Sequence, residues 1–269
     1  MRQLRYFSFD WDDNLLEMPT ILHYKEKIND KLLDYEMSPK EFVVMRKKYL
    51  DYRDNKKWLA TDETFTEFRD DGPRGNSAFI EDVKISIKNK KFGPSWEIFI
   101  NTLINGNLFS IITTRGHEPL IMKGVILYII TNILSKTEQL TMKENLKNFN
   151  LLFDNEIANE NLIKEYLDNC YFIGLSSEEF IKQFGYNPID DLDKGKQDAI
   201  EYFLNLARNY AKKVKVTTLQ MGFSDDDIQY ANSVKEFFMI TKKSEDFVED
   251  FYIFDTSNPK IKGGIKTKI

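Results

Sequence analysis

Apolar residues fall in short, nearly unbroken runs along this chain, and several of the runs end in acids or hydroxyls. The first, Tyr6-Phe7-Ser8-Phe9, leads straight into Asp10, Asp12 and Asp13. A short apolar run of this kind predicts a strand buried on both faces, as in a parallel sheet. Residues 108–112, 171–175, 214–221 and 251–254 predict four more. Elsewhere the apolar spacing changes to three and four residues, which predicts helices over 118–134, 138–150 and 156–168, from 193 onward, and again after 227. Strands that alternate with helices and carry polar ends predict an α/β fold with a doubly wound parallel, Rossmann-like sheet.

The pattern is different between the first two core strands. Residues 19–36 read as a hairpin turning at Asn29-Asp30, with a helix as the alternative. Ser38-Pro39-Lys40-Glu41 is a helix start, with a Ser cap, Pro at the first position and Glu at the third. A polar, turn-rich stretch follows, broken most clearly at Asp70-Asp71-Gly72-Pro73-Arg74-Gly75-Asn76. A helix over 96–104 then feeds the second strand and stops at Asn105-Gly106. The intervening chain is far longer than a βαβ crossover needs. It therefore predicts an inserted α+β cap over 17–94, a core formed by 1–16 and 95–258, and a loose basic tail over 259–269.

With 269 residues the chain has room for a large core and an insert. The net charge of −5 gives the molecule as a whole no pull toward nucleic acid or anionic membrane. Cys170 is the only cysteine and precedes an apolar run, so it reads as a buried structural thiol, and a Cys-based zinc site is excluded. Two histidines, His23 and His117, are too few for a His-rich metal site. No signal-peptide core is expected at the N-terminus, and no stretch is long and apolar enough to span a bilayer. A cytoplasmic location is the expectation.

The candidate chemistry lies at the strand ends. Asp10, Asp12 and Asp13 repel one another, and a cation or bound proton relieves that repulsion. Thr113, Thr114, Arg115 and His117 follow the second core strand, Lys194 and Lys196 open the long helix, and Asp225, Asp226 and Asp227 follow the fourth strand. These residues, in this order, resemble the four motifs of the haloacid dehalogenase (HAD) superfamily of phosphatases. Asp13 stands where that family most often has Gly, and Asn14 where it has Thr or Val. Phe223 occupies the first Asp position of the long form of its fourth motif.

The resemblance implies a Mg²⁺-dependent phosphohydrolase that works through an aspartyl-phosphate. Asp10 would be the nucleophile and Asp12 the general acid/base, with Thr113 and a lysine holding phosphoryl oxygens. The helix spacing matches the family pattern better for Lys196 than for Lys194. Asp10, the backbone carbonyl of Asp12, and some of Asp225, Asp226 and Asp227 would hold Mg²⁺, a hard cation that prefers oxygen ligands. Thr114 and Arg115 at the cleft mouth, and Arg74 in the insert, are candidate substrate contacts, Arg115 as a clamp for a second anionic group. A small phosphorylated metabolite or nucleotide is the expected substrate. A nucleic-acid end is the alternative, suggested by Lys47, Lys48, Arg53, Lys56 and Lys57 interleaved with Tyr49, Tyr52 and Trp58. A non-catalytic binding or scaffold module of the same fold is a third reading.

Overall fold

The computed structural model describes residues 3–29, 31–48, 57–148, 161–187 and 191–269. The first strand, β1 (Gln3–Phe9), ends one residue before Asp10. A hairpin of β2 (Leu22–Ile28) and β3 (Lys31–Met37) follows, then α1 (Pro39–Lys48) and β4 (Trp58–Ala60). Two 3₁₀ turns, Thr66–Phe68 and Gly75–Ser77, lead to α2 (Ala78–Lys88) and α3 (Trp96–Ile104). Next come β5 (Leu108–Thr113), α4 (Pro119–Asn132), α5 (Lys136–Asn148), α6 (Leu162–Asn169), β6 (Tyr171–Gly174) and α7 (Glu178–Phe184). The chain closes with α8 (Leu192–Lys213), β7 (Thr218–Asp225), α9 (Ile228–Ile240), β8 (Val248–Asp255) and β9 (Ile265–Lys268).

Six strands form a mostly parallel sheet in the order β6-β5-β1-β7-β8-β9, so the fold is mixed α/β. Within this sheet β1 lies at the centre, with the next two strands on one side and the later ones on the other. Ligands of open α/β sheets bind outside the carboxyl ends of the strands where the order reverses, here between β1 and β7. The register puts Phe9 beside Ser224, so Asp10 and Asp225 leave neighbouring strands at the same level. All six residues of β5 are buried, which requires cover on both of its faces. That explains its unbroken apolar run.

A second sheet, β3-β2-β4, closes over its own small apolar cluster of Leu22, Tyr24, Met37 and Met45. The hairpin expected over 19–36 is thus present, with Asn29 in the left-handed region at φ 48. Ser38 and Glu41 form the expected capping box: the Glu41 carboxylate accepts from the Ser38 N–H at 2.8 Å.

Several expectations need correction. Residues 78–88, read as part of a turn-rich stretch, form helix α2, whose Phe79 and Val83 join the main core. The charged residues between those apolar positions and the Gly/Pro break before them masked the period. Helix α7 was also missed, although Ser177 caps it and Gly185 ends it at φ 77. The tail is not loose throughout, because β9 pairs antiparallel with β8. The fourth core strand runs to Asp225 rather than ending at 221, since residues 222–224 keep their ladder with β1. Residues 149–150 and 156–160, expected to be helical, lie outside the described residues. Among the described residues, no helix is long and apolar enough to cross a membrane.

Candidate active site

Asp13 has φ 51, a conformation that disfavours most side chains, and this turns the chain sharply after Asp12. Asn14 locks that turn. Its buried side-chain amide donates to the Asp10 carbonyl at 3.0 Å and to the Ser224 hydroxyl at 2.9 Å, and its carbonyl accepts from the Thr256 hydroxyl. One side chain thereby ties the ends of β1 and β7 to the residue that follows β8. This gives a structural reason for Asn at a position the sequence singled out only as a departure from Thr or Val.

Oxygens of Asp10, Asp225 and Asp226 come within 4.8 Å of one another. Lys196, fully buried near the start of α8, donates to Asp10 at 2.9 Å and also to Asp225. Of the two candidate lysines it alone reaches these acids; Lys194 lies over the Tyr186 ring instead. Burial pushes the Asp10 carboxyl up to about 8 despite Lys196, helped by the neighbouring Asp225 and Asp12. Burial also raises Asp225 and Asp226. Burial pulls Lys196 down, but Asp10 and Asp225 together raise it further, so the net direction is up. Three carboxylates against one ammonium leave a deficit of positive charge that a divalent cation would fill. The all-oxygen donor set suits a hard cation such as Mg²⁺.

Asp227 stands apart from this group. It caps α9, accepting from the Gln229 N–H at 3.0 Å, while its own N–H donates to Asp225. The Asp12 side chain also points elsewhere. Both of its oxygens accept from Arg115, at 2.8 and 2.6 Å, in a bidentate pair. The Arg115 side chain is 0% exposed and that of Asp12 23%. Expected at the cleft mouth, Arg115 is instead inside the protein, stacked over Phe68 at 4.5 Å. A further N–H donates to Thr20, whose hydroxyl donates to Asp82. Gly174 makes room for this loop: a Cβ there would sit 2.5 Å from the Arg115 carbonyl.

Thr113 is buried, and its hydroxyl lies 3.4 Å from the Arg115 N–H. Its neighbour Thr114 faces a cavity of about 970 Å³ above the acids. Arg74 is engaged within the insert, pairing with Asp82 at 2.7 Å and Glu67 at 3.3 Å. Of the basic and aromatic residues proposed for nucleic acid, Tyr49, Tyr52, Arg53 and Lys56 lie outside the described residues. Lys57 pairs with Glu26, and Trp58 packs against Tyr35.

Sequence reasoning missed Asp70. It accepts from His117 Nδ1 at 2.7 Å and from the Glu118 N–H at 2.8 Å, binding the insert to the loop after β5. Nothing in the local sequence marks it, because its partners lie 47 and 48 positions away. Since Arg115 can only donate, its contact with His117 Nε2 assigns the proton to Nδ1 and leaves the ring neutral. Burial lowers the His117 pKa, with Asp70 opposing. A depressed histidine means that the unfolded chain binds the extra proton first. Stability is therefore full above about 6.5 and falls as pH drops through that value toward the folded pKa. Thermal melts between pH 7.5 and 5 should show this loss, and His117→Asn should lose less over the same range. An equal slope in both proteins would contradict it. Cys170 is buried with its thiol pushed up to about 12 by desolvation, as befits an inert structural residue.

Comparison with protein-family models, curated proteins and solved structures finds no match for this chain.

Proposed function

We propose that this protein is a Mg²⁺-dependent phosphohydrolase of the haloacid dehalogenase type, with a doubly wound core and a cap built from the part of residues 17–94 that precedes α2. The observation that carries this reading is the meeting of Asp10, Asp225, Asp226 and Lys196 outside the carboxyl ends of adjacent strands β1 and β7. A structural acid cluster alone would not require a buried lysine bridging two carboxylates at the point where ligands bind.

Asp10, Asp225 and Asp226 would hold Mg²⁺, which when bound supplies charge neutralisation for a phosphoryl group approaching three carboxylates. Asp10 attacks phosphorus, the ester P–O bond breaks, and the leaving oxygen takes its proton from Asp12. Water then attacks the aspartyl-phosphate, returns a proton to Asp12 and frees phosphate and the Asp10 carboxylate. Lys196, fixed between Asp10 and Asp225, is placed to stabilise charge on the phosphoryl oxygens. Arg115 would position Asp12, taking one lone pair on each of its oxygens and leaving the others for the proton exchanged with the leaving group.

The test is metal-dependent hydrolysis of a generic aryl phosphate. Chelation should stop turnover and Mg²⁺ restore it. Asp226→Ala should raise the Mg²⁺ concentration needed for half-activity at least tenfold, and Asp227→Ala much less, because Asp227 is committed to its cap. Equal effects of the two would remove the ligand assignment. A second reading, a phosphate-binding module without turnover, is favoured by the hold of Arg115 on both oxygens of Asp12. Mg²⁺-dependent phosphate binding with no hydrolysis of any phosphomonoester would select it.

A further inference from the structure

The cavity is much larger than a phosphoryl group requires, at about 970 Å³, so its outer wall must contact the organic part of a substrate. That wall is acidic. Beyond the strand-end carboxylates its lining includes Asp62, Asp71, Glu118 and Glu178, and also the phenyl rings of Phe42 and Phe65. Among the described residues lining the cavity only two are cationic, Lys196 and Arg69. Lys196 is held by Asp10 and Asp225, and Arg69 lies 3.3 Å from Asp71. No ion pair among the described residues reaches Asp62, Glu118 or Glu178. Glu118 is raised chiefly by burial, against the Glu179 and Glu178 backbone N–H groups whose hydrogen bonds lower it.

We propose that the site takes phosphomonoesters whose organic part carries a cation, an alkylammonium or guanidinium group seated between the acidic wall and the phenyl faces. The inference rests on the phosphohydrolase reading above. Carboxylates and ring faces attract the same charge, the first by Coulomb interaction and the second through the ring quadrupole. A substrate carrying a carboxylate or second phosphate meets like charge on the same wall. The wall thus selects against the polyanions that a basic cap would favour, nucleic-acid ends included.

The experiment compares kcat/KM of the 269-residue chain with Mg²⁺ on aminopropyl phosphate, hydroxypropyl phosphate and carboxyethyl phosphate. These are similar in size and differ mainly in the charge of the tail. The amino compound should exceed the hydroxy compound by on the order of tenfold, mainly through KM, and the carboxy compound should be poorest. Added salt should narrow the spread by screening. Asp62→Asn combined with Glu118→Gln should bring the amino-to-hydroxy ratio toward one. The amide carbonyl that the second substitution introduces can still accept the Glu178 N–H that Glu118 accepts. Should the variant fold poorly, the wild-type ranking and its salt dependence decide. Turnover with equal or reversed ranking overturns the inference and leaves the phosphohydrolase reading standing. No turnover of any of the three, nor of an aryl phosphate, overturns both.

Discussion

Asp10→Asn should abolish the proposed phosphohydrolase activity and leave the fold as stable as before or more so. An amide has no anionic oxygen with which to attack phosphorus, so the expected loss is to background, at least about 10⁴-fold. The stability half follows from the surroundings. Asp10 is buried beside Asp225 and Asp226, and its carboxyl is pushed up to about 8 because the folded site disfavours its charge. An amide removes the cost of burying an ionisable carboxyl there, while Lys196 keeps its bond to Asp225. Thermal melts in chelator should show an unchanged or higher midpoint for the variant. Near-wild-type turnover by the purified variant would mean that another residue is the nucleophile.

Arg115→Met should cost about 3 kcal/mol of stability, toward the lower end for a buried pair because Asp12 keeps some contact with water. The substitution fills much of the same space but leaves Asp12, Thr20 and His117 without their shared donor. The partly buried Asp12 carboxylate, left without its cationic partner, dominates the loss. Denaturant titration measures it, and Asp12→Asn in the same protein should recover part of it by removing the stranded charge. Activity should fall by about 100-fold or more, because the proposed acid Asp12 loses the pair of hydrogen bonds that fixes its position. A loss below about 1 kcal/mol, with no recovery in the double variant, would show that the pair is not structural.

The parts of this site that were legible in the sequence are those set by strand ends. An apolar run fixes where a buried strand stops, so Asp10 and Thr113 could be placed from their neighbours, whereas Lys196 was preferred to Lys194 only through the family resemblance. Asp225 was placed just past its strand when it is the last strand residue, because Ser224 and Gly222 looked like a break while the ladder with β1 continues through them. Asp12 and Arg115 were each singled out, yet not as partners, since their pairing across 103 positions follows from folding and leaves no local pattern. Asp70 and Thr20 were invisible for the same reason. Arg74 looked free in a glycine-rich turn, but the helix that supplies its partner Asp82 was itself unread. Elements with a strict period were readable, and contacts between the insert and the core were not.

The central claim is that Asp10 carries the phosphoryl group. Acid quenching during turnover, followed by borohydride reduction, converts an aspartyl-phosphate to homoserine, which peptide mass spectrometry locates. The account predicts homoserine at position 10 only when both Mg²⁺ and a phosphomonoester were present. Steady turnover with residue 10 unmodified, or with the label at another acid, would contradict it.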